Sequence, residues 1–350
     1  MLLPNRHPRI AYFVSSHGFG HAARTRTILQ ELHLQAEVTV FSTAPLWFWG
    51  DLNVQHVFCK ADIGCIQQGT LTIDELATSS TFSHFLTEMP NRFEYIKTMH
   101  SETPFDLIAT DIAPEPLDFA NQLGVQSALV ANFTWLEIYA AMPSMHAALP
   151  NLQRQYLLAD STYIPGFQTG MTWTSNTILV DAVAEEGSCI REDLNPDAKF
   201  SRLVYIDAGR WGTDIGWQSA ADYEDTLFIR VGPKLDCIPM NVLQLDYGAV
   251  RHADLVKSVD LVVSKPGYGI VTECLANGTL WGCIPRDGFA EDVILIQAAE
   301  DRNQVFMVRP EQLESLAFPS FPLQHKASTV TFDGAKQIAA LMIASLAEWR

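Results

Sequence analysis

Long apolar runs are missing from this sequence. None approaches the roughly 18 residues that a membrane-spanning helix needs, and the opening MLLPNRHPRIAYF lacks the apolar centre of a secretory signal. No transmembrane segment is therefore expected. Paired cysteines are missing as well: Cys59, Cys65, Cys189, Cys237, Cys274 and Cys283 are scattered and none forms C-x-x-C, which points to structural thiols in a reducing cytoplasm. Basic residues are scarce, 23 Lys and Arg against 40 Asp and Glu, for a net charge of −17. That balance argues against nucleic acid or an anionic membrane as the main partner. The sequence has no G-x-S-x-G elbow, no D-x-D after a strand-like run and no His/Cys set with zinc spacing, so neither a serine hydrolase nor a bound metal is expected. Internal repeats and low-complexity tracts are absent too.

What is present is enough apolar material for two cores: 350 residues, 48% of them hydrophobic. Strand-like runs alternate with helix-like segments. IAYFVS (10–15), EVTVFS (37–42), 54–59, FDLIAT (105–110), SALVAN (127–132) and TILVDAV (177–183) make a first series, with a Pro90-interrupted helical pattern over 74–100 and a helix closed by Gly124. The polar segment 184–201, holding Asn195-Pro196, reads as a linker. The alternation restarts with LVYIDA (203–208), TLFIRVG (226–232), NVLQLDY (241–247), LVVSK (261–265), LWGCIP (280–285) and VFMV (305–308). The expected architecture is α/β, with two Rossmann-like domains of parallel strands, 1–190 and 200–350, and a final amphipathic helix that returns to the first domain. Ala44–Trp49 reads as aromatic core packing ahead of an acceptor or membrane-facing patch.

Two turns share one design. Ser16-His17-Gly18-Phe19-Gly20-His21 and Lys265-Pro266-Gly267-Tyr268-Gly269 each follow an apolar run and precede a helix-like stretch. Such turns leave helix N-terminal amides open, and glycine lets a ligand approach the backbone. In a parallel sheet ligands bind beyond the carboxyl ends of strands, so His17, His21, Asp111 and Asn132–Trp135 are expected on one rim. The two turns are expected to face one another across a cleft.

At these residues a resemblance enters. SSHGFGHAAR, IGCIQQGTLTID, VANFTWLEIY and SKPGYGIVTECLANG followed by IPRDGFAED resemble the glycosyltransferase-like N-terminal domain of L-arabinokinases and its stand-alone bacterial relatives. The likeness keeps its order along most of the chain. The glycine-rich ATP loop of the GHMP-type kinase half has no counterpart, so arabinokinase activity is not expected. More remotely, the two glycine turns are similar to those of the inverting GT-B enzyme that adds N-acetylglucosamine in lipid II synthesis. The resemblance implies a GT-B fold, a nucleotide-sugar donor (UDP-linked) held mainly by the second domain, an acceptor held by the first, and no required metal. It also places His21 at the family's first-turn histidine and Glu273 at the glutamate that binds the donor ribose. Lys265-Pro266 and Arg286-Asp287-Gly288-Phe289 depart from the family pattern, which leaves the donor sugar open.

An inverting transfer needs a base for the acceptor hydroxyl and a counterpart for the leaving diphosphate. Histidine titrates near neutrality, so His21 is the expected base, with Asp111 as its orienter and His17 as the alternative base. Gly18, Gly20, Arg210, Lys265, Gly267, Tyr268, Gly269, Thr272 and Glu273 are expected at the donor, and Asp287, Glu291 and Asp292 at its sugar hydroxyls or as charges at a helix start. Arg24 and Arg26 read as surface arginines, with an anionic acceptor as the alternative. The expected activity is a hexosyl- or N-acetylhexosaminyl-transferase working on a small-molecule, lipid-linked or protein acceptor. A sugar-nucleotide epimerase or hydrolase and a non-catalytic sugar-nucleotide binder are the competing functions, since fold alone does not fix reaction.

Overall fold

The computed structural model describes residues 6–68, 72–168, 171, 174, 176–207, 215–286, 290–319 and 330–348. The chain divides into two compact units, one of Met1–Gln67, Ile73–Val183 and Val330–Arg350, the other of Gln68–Thr72 and Ala184–Thr329.

In the first unit the elements run β1 (Arg9–Val14), α1 (Phe19–Leu32), β2 (Glu37–Ser42), β3 (Val54–Phe58), α2 (Glu75–Thr87), α3 (Met89–Glu102), β4 (Leu107–Asp111), α4 (Glu115–Leu123), β5 (Gln126–Val130), α5 (Trp135–Ala140), α6 (Leu149–Tyr156), β6 (Ser161–Pro165) and β7 (Thr177–Val180). The strands form a seven-stranded parallel sheet in the order β3-β2-β1-β4-β5-β6-β7. β4 and β5 are buried throughout and β1 nearly so, as central strands covered on both faces must be. Phe13 and Phe41 stack at 4.4 Å on neighbouring strands, and Phe105, Ile108 and Phe119 close the layer around them.

Several local expectations shift for identifiable reasons. The helical pattern over 74–100 is two helices, because Pro90 cannot donate to the preceding turn and instead starts α3. β6 has no forerunner in the sequence pattern: STYIP is short and ends on proline, a poor strand signature, yet four of its five residues are buried. The aromatic stretch divides. Trp49 is buried, whereas Leu46 and Trp47 are 67% and 46% exposed. Arg26 is buried rather than a surface arginine, and grips both oxygens of Asp51 at 2.6 Å and the Phe48 carbonyl at 3.0 Å.

The second unit runs β8 (Arg202–Asp207), β9 (Thr226–Val231), β10 (Val242–Leu245), α7 (His252–Ser258), β11 (Leu261–Ser264), α8 (Tyr268–Asn277), β12 (Leu280–Cys283), α9 (Ala290–Glu300), β13 (Val305–Met307) and α10 (Pro310–Ser315). Its six-stranded sheet has the order β10-β9-β8-β11-β12-β13, again parallel. All six cysteines are free thiols. Among the described residues no helix is long and apolar enough to cross a membrane.

The last helix, α11 (Gly334–Glu348), belongs to the first unit and packs on α1, with Ile338, Met342 and Leu346 forming a buried stripe at helical spacing. Its entry is tight. Val183 bridges to Asp333, the Gly334 amide donates to the Ala182 carbonyl at 3.2 Å, and a Cβ at Gly334 would overlap the Asp181 carbonyl oxygen. Gly334→Ala is therefore expected to lower stability by about 2 kcal/mol and the melting temperature by about 4–8 °C, while the exposed Lys336→Ala leaves both unchanged in the same thermal scan.

Candidate active site

In the first sheet the strand order reverses between β1 and β4, and ligands of open parallel sheets bind at the carboxyl ends beside such a switch point. Two sequence-identified residues meet there. His21 lies in the first turn of α1, which follows β1, and Asp111 is the last residue of β4. His21 Nδ1 lies 2.7 Å from Asp111 Oδ1. Arg24, one turn further along α1, donates to the same carboxylate through Nε (2.9 Å to Oδ2) and Nη2 (2.9 Å to Oδ1), and its Nη1 donates to the Asn132 side chain. Thr25 adds a hydroxyl to Oδ2 at 3.3 Å. Asp111 is fully buried, which opposes its charge, but the Arg24 guanidinium and the His21 imidazole hold its carboxyl down to about 2. An ionised carboxylate only accepts, so Nδ1 carries a proton and, in the neutral ring, Nε2 keeps its lone pair. The Arg24 Nη2 contact to Nδ1, 3.4 Å, is the longer one and does not change that assignment.

Backbone geometry aims these groups. Gly18 caps α1 at φ 77°, ψ −178°, a conformation open essentially to glycine alone, and both Gly18 and Gly20 are exposed with nothing within 4 Å of where a Cβ would stand. Directly after Asp111, the β-branched Ile112 is left-handed at φ 48°, an outlier held by the Tyr156 hydroxyl on its carbonyl (2.7 Å) and by its own amide on the Val130 carbonyl (3.2 Å).

His17 is built differently. The Cys65 amide donates to its Nδ1 at 3.2 Å, so a neutral ring carries its proton on Nε2 and has no lone pair to offer. The ring stands edge-on to Trp135 at 5.3 Å and lies against Gly64, whose φ of +59° and missing Cβ make the space. Trp135 is set by a capping box at the start of α5, Thr134 with Glu137, and its indole donates to the buried Asp62 at 2.7 Å, which also accepts the Ser16 amide at 2.9 Å. Burial pushes Asp62 above the usual carboxylate range.

In the second unit the order reverses between β8 and β11, and the second glycine turn follows β11 at that point. Gly267 caps α8 in extended backbone, and a Cβ there would meet only Ile270 at 3.9 Å, so the fold itself does not demand glycine. Lys265 is half-buried, and burial, then Arg286, push its ammonium below the usual range. Glu273 is buried and pairs with His252 of α7, Nδ1 to Oε2 at 2.5 Å. Burial opposes the imidazolium, but Glu273 wins and raises His252 to about 9. Tyr268 and Gly269 are buried in the first turn of α8. Thr272 is fully buried with its hydroxyl spent on the Tyr268 carbonyl at 2.8 Å, so it serves the helix. Asp292 is taken up bidentately by Arg286, both contacts at 2.8 Å, and Glu291 is buried beside it in α9. Arg210 and Asp287 lie outside the described residues. Among the described residues no three His, Cys, Asp or Glu side chains converge as metal ligands.

No family model matches the chain. The L-arabinokinase of Arabidopsis thaliana is 26% identical over 316 residues, 83% of this chain, and the chain spans only 29% of that relative. Solved structures match along nearly the whole chain. The glycotransferase of kitacinnamycin superposes with TM-score 0.61 at 14% identity, covering 98% of this chain and 93% of that one. The fold is that of the GT-B glycosyltransferases. A UDP-glucosyltransferase from Polygonum tinctorium capable of glucosylating indoxyl gives TM-score 0.62 at 13% identity over 98% and 94% of the two chains. UGT2 of Phytolacca americana, complexed with UDP-2fluoro-glucose and pterostilbene, gives 0.61 at 14% over 97% and 94%. At these identities the GT-B likeness speaks for the fold.

Asn132 stands on the expected rim, but Arg24 is buried rather than a surface arginine, and neither its pairing with Asp111 and Asn132 nor His252 as a partner of Glu273 was legible in the sequence. The His252–Glu273 pair has a pH signature. A histidine raised in the folded state contributes stability that is complete below its unfolded value, about 6.5, and is lost as pH rises through about 9. The melting temperature is thus expected to fall across that window, and Glu273→Gln to flatten the fall in a pH series of thermal scans.

Proposed function

We propose that this protein is a glycosyltransferase moving a sugar from a UDP-linked donor to an acceptor hydroxyl, with inversion and without a metal. The single observation that carries the proposal is the His21–Asp111 contact at the switch point of the first sheet, in a chain of GT-B fold. In the reaction proposed, His21 Nε2 takes the proton of the acceptor hydroxyl as that oxygen attacks the anomeric carbon. The bond from that carbon to the diphosphate breaks on the opposite face and its electrons leave with the nucleoside diphosphate. Asp111 holds the tautomer and stabilises the imidazolium that forms. The leaving diphosphate is assigned to the amides of the turn at Gly267–Gly269 and to Lys265. A UDP-linked donor is favoured by the UDP-glucosyltransferase and the UDP-2fluoro-glucose complex among the structural neighbours, whose acceptors are small molecules.

The test is a thermal-shift panel of UDP-, GDP-, TDP- and CMP-sugars followed by turnover with acceptors, since a ligand bound only by the native state raises its melting temperature. A UDP-sugar is expected to stabilise the protein. His21→Ala is expected to cut turnover by about 10²–10⁴ without abolishing donor binding, while His17→Gln keeps most of it. Turnover untouched by His21→Ala, or stabilisation by none of the nucleotide sugars, overturns the proposal; donor consumption without acceptor marks the hydrolase or epimerase instead.

A further inference from the structure

We propose that Arg24 is a positioning residue that sets the resting state of His21. Its guanidinium spreads over both oxygens of Asp111 and onto the Asn132 side chain, offsets the carboxylate's charge, and leaves the imidazole facing a neutral pair instead of a bare anion. The inference rests on the reading of His21 as the base. A base must be unprotonated before reaction, and an uncompensated buried carboxylate on its Nδ1 would hold a proton on the ring.

The protein contains its own control. His252 and Glu273 form a second imidazole–carboxylate pair, and among the described residues no guanidinium meets Glu273. That imidazole is held as a cation, raised to about 9. Asp207 and Glu185 also face His252 and add to its rise, and at the carboxylate itself the pairs differ by the guanidinium that Asp111 has and, among the described residues, Glu273 lacks. Arg24 is itself almost wholly buried, with its side chain 2% exposed, so its charge is little screened by water and its planar fork fixes the carboxylate's orientation.

The other charged or titratable groups around His21 are few. Asp62, from the segment after β3, has its oxygens taken by the Trp135 indole and the Ser16 amide and is pushed toward its neutral form by burial. Tyr12 of β1 lies near Asp111, and burial drives its phenol far above its usual range. His17 accepts from the Cys65 amide and meets the Trp135 ring edge-on at 5.3 Å. Phe133 and Trp135 contribute only ring faces and edges.

The experiment is an NMR titration of histidine-labelled protein, with the His21 signal assigned by its loss in His21→Gln. No donor or acceptor is needed, so the outcome is separable from whether the chain transfers sugar. Arg24→Gln is expected to move the His21 midpoint upward by at least about one pH unit, tenfold in proton affinity, relative to wild type, and Arg24→Lys to move it less. An unchanged midpoint in folded Arg24→Gln overturns the proposal. Should that variant not fold, Asp111→Asn is compared with Asp111→Asn/Arg24→Gln, which leaves no bare carboxylate. The double variant is expected to titrate higher than the single, and equal midpoints overturn the proposal.

Discussion

A carboxylate with no exposed surface must be compensated where it stands, and Asp111 is such a group at the reversal point of the first sheet. Stripping one partner from a buried ion pair typically costs about 3–5 kcal/mol, so its neighbours are not free to vary independently. That requirement explains why α1 carries a buried arginine one turn after a glycine-rich start, why β5 is followed by an asparagine turned toward that arginine, and why a histidine can be fixed in one tautomer at the edge. The same contacts that let the core tolerate a charge fix the imidazole at its edge.

Each unit reaches this arrangement by the same topology. A central strand ends, the chain turns over glycine into a helix, and the polar groups collect beside the neighbouring strand across which the order reverses. In the first unit the turn requires glycine, because Gly18 occupies a conformation that side chains avoid. In the second, Gly267 sits in ordinary extended backbone where a Cβ would meet only Ile270 at ordinary contact distance, so the fold there does not demand glycine. The GT-B superpositions agree with the two parallel sheets.

Much of this was legible in the sequence. Strand–turn–helix alternation identified nearly every central strand, and the rule that ligands gather at strand ends put His21, Asp111 and Asn132 on one rim before any contact was known. What escaped has physical causes. Arg24 to Thr27 are four consecutive buried polar residues, and a polarity pattern assigns such a run to solvent. The pairing of His252 with Glu273 depends on how α7 crosses α8, which spacing along the chain does not encode. The left-handed Ile112 has no glycine to announce it. Thr272 and Asp292 had the right polarity for a ligand but are satisfied inside the protein, by a helix carbonyl and by Arg286.

The central claim is that Asp111 fixes His21 with its proton on Nδ1 and a bare Nε2. Long-range ¹H–¹⁵N correlation spectra of the ligand-free protein in its neutral-imidazole form read that directly. The account expects the Nδ1–H tautomer for His21, converted to a mixture in Asp111→Asn; a proton on Nε2 with Nδ1 bare in the wild-type protein would contradict it.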